Sequence, residues 1–160
     1  YPLWLKEHKA ARAAAKKGLR DHQGATEDFT KAIELNPSDG RAYYNRGIVR
    51  ESLGDYDGAI ADHTKAIEID PSYFMAYGNR GNARAKLGDY RGAVADHSKA
   101  IALNPRYALG YKNRGLAKKR QGDDDGAARD FEQALRLDPT IPQAKLLRKL
   151  VRKHLGSERR

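Results

Sequence analysis

The chain has 160 residues, with 31 Lys and Arg against 21 Asp and Glu and a net charge of +10. It contains no cysteine, which excludes disulfides and thiolate metal sites. No apolar run reaches the roughly 18 residues of a membrane-spanning helix. A basic balance of this size bears on partners rather than fold: acidic proteins, nucleic acid or anionic membrane surfaces.

Tyr1 in place of Met points to a processed protein or an excised domain, and no signal peptide is legible. The compartment stays open, with the cytoplasm slightly favoured over a periplasmic or secreted location. Residues 1–5, YPLWL, form a short apolar N-terminal segment.

From residue 6 one pattern returns every 34 residues, dividing the chain into 6–39, 40–73, 74–107 and 108–141. Blocks 40–73 and 74–107 are identical at 20 of 34 positions without a gap. Block 108–141 keeps Tyr111, Asn113, Arg114, Gly115, Gly122, Asp123, Ala127, Ala134 and Pro139. Block 6–39 keeps Leu19, Asp21, Ala25, Phe29, Ala32 and Pro37, but carries Ala13 for the glycine and Lys9 for the tyrosine.

Each block reads as two helices. In 40–73 the first contains Tyr43, Gly47 and Val49, and Gly54 supplies the left-handed residue that closes it. Asp55 is placed to cap the second. There Ala59, Ile60, His63, Ala66, Ile67 and Ile69 follow the spacing of a buried helical face, and Pro71 ends the run. Gly47 and Ala59 are small enough to let the two helices approach closely. Short loops predict antiparallel pairs. Residues 142–155 carry Leu146, Leu147, Leu150 and Val151 on one side and basic residues on the other, as a helix covering the open end of an array would. A tail of 156–160 follows.

The pattern resembles the tetratricopeptide repeat, which sets an aromatic, Gly, Ala, aromatic, Ala and Pro within one period. Here these are Tyr43, Gly47, Ala59, His63, Ala66 and Pro71, then Tyr77, Gly81, Ala93, His97, Ala100 and Pro105, then Tyr111, Gly115, Ala127, Phe131, Ala134 and Pro139. The resemblance implies an all-α fold, a right-handed α-solenoid of antiparallel helix pairs with the first helices lining an inner groove.

The resemblance also places the column Asn45, Asn79 and Asn113 in that groove. An Asn amide both donates and accepts, so a ladder of them suits gripping an extended peptide backbone without reading its side chains. The competing reading has each Asn bonding a neighbouring helix within the array. Further groove candidates are Tyr44, Ile48 and Glu51, then Asn82 and Lys86, then Lys112, Leu116, Lys119 and Arg120. Their charge shifts from mixed to basic toward the C-terminus, which suits an acidic partner segment. The carboxylate clamp that some family members use for chaperone tails is not matched. Its first two slots hold Ala10 and Ala14 in one frame, or Tyr44 and Ile48 in the next, where its third-repeat Lys slot holds Leu109. The sequence therefore argues against chaperone C-terminal tails as ligands.

Arg12, Arg46, Arg80 and Arg114 stand where the family usually has Leu, and Asp28, Asp62, Asp96 and Asp130 recur in the second helices. Repeated Arg–Asp ion pairs are expected, since the planar guanidinium binds a carboxylate through two hydrogen bonds. His63 and His97 fill the column held by Phe29 and Phe131, and are expected as packed, hydrogen-bonded core residues rather than metal ligands. Gly24, Gly58, Gly92 and Gly126 recur early in the second helices without an explanation from sequence.

No catalytic constellation, cofactor motif or metal-ligand spacing is present, and "GDDDGA" at 122–127 reads as helix capping rather than a metal loop. Three functions remain. The leading one is a non-catalytic module that binds an extended partner peptide. The second is a basic adaptor using Lys145, Arg148, Lys149, Arg152 and Lys153, for which nucleic acid is disfavoured because no aromatics interleave them. The third is a self-associating scaffold, stacking end to end as a homodimer through Trp4 or the last helix.

Overall fold

A computed structural model describes the backbone of residues 3–157 and the side chains of residues 18 and 20–156. Eight helices occupy the described residues: α1 Leu3–Leu35, α2 Gly40–Ser52, α3 Tyr56–Ile69, α4 Phe74–Lys86, α5 Tyr90–Leu103, α6 Ala108–Arg120, α7 Asp124–Leu137 and α8 Ala144–Ser157. None of them is long and apolar enough to cross a membrane.

Three of the four blocks form the expected hairpins, and their turns show why. Gly54, Gly88 and Gly122 each adopt positive φ, near +80°, where a side chain would be strained. The aspartate that follows each of them caps the next helix: Asp55, Asp89 and Asp123 accept from the backbone N–H of Gly58, Gly92 and Gly126 at 2.9, 2.8 and 2.8 Å. This geometry explains the early glycine of the second helices. Each capping carboxylate lies across the glycine's Cα, where a Cβ would collide with its oxygen.

The first block departs from expectation. Residues 6–39 do not fold as a hairpin; α1 runs unbroken from Leu3, inside the segment set apart as 1–5, to Leu35. Arg20 stands where the later blocks have the left-handed glycine, so nothing closes a first helix. Gly24, the counterpart of Gly58, has no neighbour within 4 Å of its Cβ position among the described residues. Trp4 lies outside the residues whose side chains are described.

The core is a column of small residues that lets paired helices touch. Ala59, Ala66, Ala93, Ala100 and Ala134 are fully buried, and Phe131, Ile141 and Leu147 close the C-terminal end. Leu147, Val151 and the partly buried Leu150 seat α8 on α7. Leu146, expected on that apolar side, is 46% exposed. The hydrophobic arc of α8 is therefore narrower than its sequence suggests.

Adjacent helices pack in chain order, and α2 also touches α4, as α4 touches α6. Among the described residues no such contact joins α3 to α5 or α5 to α7. The first helices therefore crowd together on one side, which makes that side the inner, concave one.

Candidate functional site

Along the inner side, α2, α4 and α6 present the Asn column. Asn45 is exposed. Asn79 donates through Nδ2 to the Tyr44 hydroxyl at 3.2 Å, and Asn113 donates to Asn82 Oδ1 at 2.9 Å. Each of these two amides thus bridges to the preceding first helix, through a side chain and not through the helix backbone. One oxygen on each amide keeps its accepting capacity for a ligand, and the Asn82 amide, with its oxygen engaged, offers donors.

Tyr44 is half-buried, with its ring 4.7 Å from Tyr73 and 5.6 Å from His63, and burial raises its pKa. Ile48 beside it is 37% exposed.

Toward the C-terminus the groove widens into an open chamber of about 710 Å3 lined mainly by α4, α5 and α6. Asn82, Lys86, Lys112, Asn113, Leu116, Lys119 and Arg120 line it, together with Glu51, Ala85, Tyr90, His97, Ala117 and Gln143. Tyr44, Asn45, Ile48 and Asn79 lie outside this chamber. The basic candidates are therefore gathered at one end of the groove. Burial without a compensating charge depresses the pKa of Lys112, Arg120 lies 5.4 Å from the Tyr90 ring centre, and Lys119 reaches Asp124 at 3.3 Å.

The Arg and Asp columns meet within each hairpin. Arg46 binds Asp62 through two nitrogens at 2.9 and 2.7 Å, Arg80 binds Asp96 at 3.0 and 2.8 Å, and Arg114 binds Asp130 at 2.8 and 2.7 Å. Hydrogen bonding to the carboxylates raises the pKa of Arg46 and Arg114. Asp28 is exposed, and Arg12 lies outside the described side chains.

Two further columns complete these pairs, and the sequence reading missed both. Arg50, Arg84 and Lys118 add a second cation to each Asp at 3.0, 2.8 and 2.9 Å. Thr30 of α1, Thr64 of α3 and Ser98 of α5, each in the preceding block, accept from the Arg Nη1 at 3.1 Å. Both recur at the repeat period, so the signal was present. The tyrosine column adds a face to each guanidinium, with Tyr43, Tyr77 and Tyr111 centred 5.7, 5.6 and 5.6 Å away.

The two histidines differ. His63 is fully buried and its Nε2 meets Glu51 Oε1 at 2.8 Å. His97 is 1% exposed and no hydrogen bond to its ring is found among the described residues, whereas in His63 only Nδ1 is buried without a partner. Only the first matches the expectation of a hydrogen-bonded core histidine. The cause is one substitution, because Ala85 stands in the third block where Glu51 stands in the second. Burial pushes His97 down to about 4.

On α8, Lys145, Arg148, Lys149, Arg152 and Lys153 are all exposed, and Arg148 donates to the Pro139 carbonyl at 2.7 Å. No group of three metal-binding side chains occurs among the described residues.

An all-α array of antiparallel pairs, with first helices joined along a concave face, is a helical-repeat solenoid. Tetratricopeptide-repeat family models match residues 9–39, 40–73, 64–95, 81–122 and 108–141. The chain belongs to the tetratricopeptide-repeat family.

Among solved structures, it is similar to the first such domain of Spaghetti (RPAP3) bound to the HSP90 peptide SRMEEVD. That match has 30% identity, covers 72% of this chain and 93% of the other, and has a TM-score of 0.68. The Arabidopsis OM64 domain matches at 28% identity over 72% and 95% of the two chains, with a TM-score of 0.69. MamA shares the fold at 23% identity over 91% and 93%, with a TM-score of 0.75. No curated protein matches the chain.

Proposed function

We propose that this protein is a non-catalytic interaction module that holds an extended segment of a partner protein along its concave face. The observation that carries this reading is the placement of Asn45, Asn79 and Asn113 on the three first helices that crowd the inner side. Their amides stand one repeat apart, as a ladder of backbone contacts requires, and an amide donates and accepts without selecting a side chain.

The partner segment is acidic at the end that meets α6, where Lys86, Lys112, Lys119 and Arg120 converge. The peptide named with the Spaghetti (RPAP3) structure, SRMEEVD, carries three acidic residues and supports a shared preference for acidic segments. It does not make chaperone tails the ligand here, because the clamp's Lys slots hold Tyr44 and Leu109.

The test is a pull-down from a soluble lysate at low and moderate salt, comparing the parent with a protein carrying Asn45→Ala, Asn79→Ala and Asn113→Ala. A partner retained by the parent at moderate salt and lost by the triple variant is expected. Equal capture by both, confined to low salt, would assign binding to the exposed cations of α8 and leave the ladder as scaffold. Thermal melts accompany the assay, since Asn79 and Asn113 also bridge helices and each bridge contributes about 1 kcal/mol.

A further inference from the structure

The near-identity of the second and third blocks turns one difference into a probe of chemistry. In the second block the Nε2 of a buried histidine, His63, meets the carboxylate of Glu51 at 2.8 Å. In the third block the same histidine, His97, packs on its helix pair as His63 does, with its Nε2 3.0 Å from the Gly81 Cβ position. The residue that would supply the carboxylate is Ala85. Both Ala85 and His97 form part of the chamber wall.

Both rings leave a buried Nδ1 without a hydrogen bond among the described residues. What sets His97 apart is its Nε2, which lacks the carboxylate that meets His63 Nε2, and an incoming group of the right chemistry would supply that bond. The charge of the wall says which chemistry. Lys86 and Lys112 have no carboxylate within ion-pair distance among the described residues, and Lys112 is half-buried. The one carboxylate on the wall, Glu51, is already held by His63.

We infer that the chamber beside Ala85 is a pocket for a carboxylate of the bound segment, which takes toward His97 the place that Glu51 takes toward His63. The His97 ring donates to it, Lys112 and Lys86 neutralise it, and the Asn82 amide, whose oxygen is engaged by Asn113, offers a further donor. This inference rests on the concave-face reading of the preceding section and makes it more specific: the ladder holds the backbone, and the chamber selects an acidic residue or a chain end.

The pocket is tested by following the histidine ring resonances of the labelled protein during titration with three small probes. These are N-acetylglutamate N-methylamide, its neutral glutamine counterpart, and N-acetylglutamine with a free α-carboxylate. The His97 ring, assigned by its absence in H97F, is expected to shift saturably with the glutamate probe and not with the neutral one. An equal response to the free α-carboxylate would identify chain ends as the natural source of the same chemistry.

A85E, which copies the second block, is expected to occupy the pocket itself and weaken the glutamate probe at least tenfold. Lys112→Gln is expected to weaken it about fivefold, equivalent to about 1 kcal/mol. A85S, small and uncharged, keeps the pocket open and binds as the parent does. A silent His97 ring with every carboxylate, an equal response to the neutral probe, or undiminished binding by A85E would overturn the proposal. A partner captured equally by parent and A85E, yet lost with the triple Asn variant, would remove this pocket while leaving the groove in place.

Discussion

Blocks 6–39 and 40–73 share one frame and reach different shapes. Both have an aspartate poised to cap a second helix, Asp21 and Asp55, and both have a proline near the end, Pro37 and Pro71. Only the second turns back on itself. The residue ahead of the capping aspartate differs: Gly54 adopts φ +79°, whereas Arg20 continues the helix. A cap therefore does not start a helix by itself. The preceding helix must first be stopped, and the backbone freedom of one glycine does that.

The two blocks also differ in how their aspartates are used, and substitutions sharpen the contrast. Asp62 is 2% exposed and shared by Arg46 and Arg50. Asp62→Ala leaves two guanidiniums facing each other in a half-buried site and is expected to cost about 3–5 kcal/mol in urea unfolding. Asp28→Ala, at an exposed position, should stay within about 0.5 kcal/mol. Equal losses would show that the first block uses its aspartate as the others do.

The aromatic column gives the next contrast. The first block has Phe29 where the third has His97, whose pKa is lowered by burial to about 4. The folded state favours the neutral ring, so this contribution to stability is complete above about pH 6.5. It is lost as pH falls toward 4, with about 3 kcal/mol gone once both states are protonated. H97F, which copies the first block, should flatten that part of the stability–pH curve. An unchanged slope would place the acid sensitivity elsewhere.

Two smaller exchanges test the turn. Gly54→Arg installs the first block's residue in a left-handed position and should cost about 1–2 kcal/mol. The reverse exchange, Arg20→Gly, should cost α1 about 1 kcal/mol and reduce the helical Cα chemical shifts around Asp21. Intact shifts there would mean that the fusion of α1 does not depend on Arg20.

The period, the turn glycines, the capping aspartates and the proline stops were all legible, because each acts on its own backbone neighbours. The Arg and Asp columns were legible as a pair because both keep one register. Arg50, Arg84 and Lys118 kept the same register and passed unread, since basic residues on helices are common and their charge alone names no partner. The bridges from Asn79 to Tyr44 and from Asn113 to Asn82 depend on side-chain directions between helices that the sequence does not order. Leu146 shows the same limit, as the tilt of α8 decides which edge of its apolar arc meets α7. The chamber depends on how α4, α5 and α6 are set against one another, which brings Ala85 and His97 onto one wall.

One recurring contact has a mechanical meaning. Each guanidinium that clamps its own hairpin also spends a third hydrogen bond on Thr30, Thr64 or Ser98 one period back. A repeat array behaves as a row of units joined by nearest-neighbour terms, and these hydroxyls place a polar, directional term at every junction. Pulling one hairpin out of line tilts its Arg fork and loosens the salt bridge behind the next. Curvature is thereby tied to ionic geometry, and the concave face bends as a sprung strip whose rivets are its arginines.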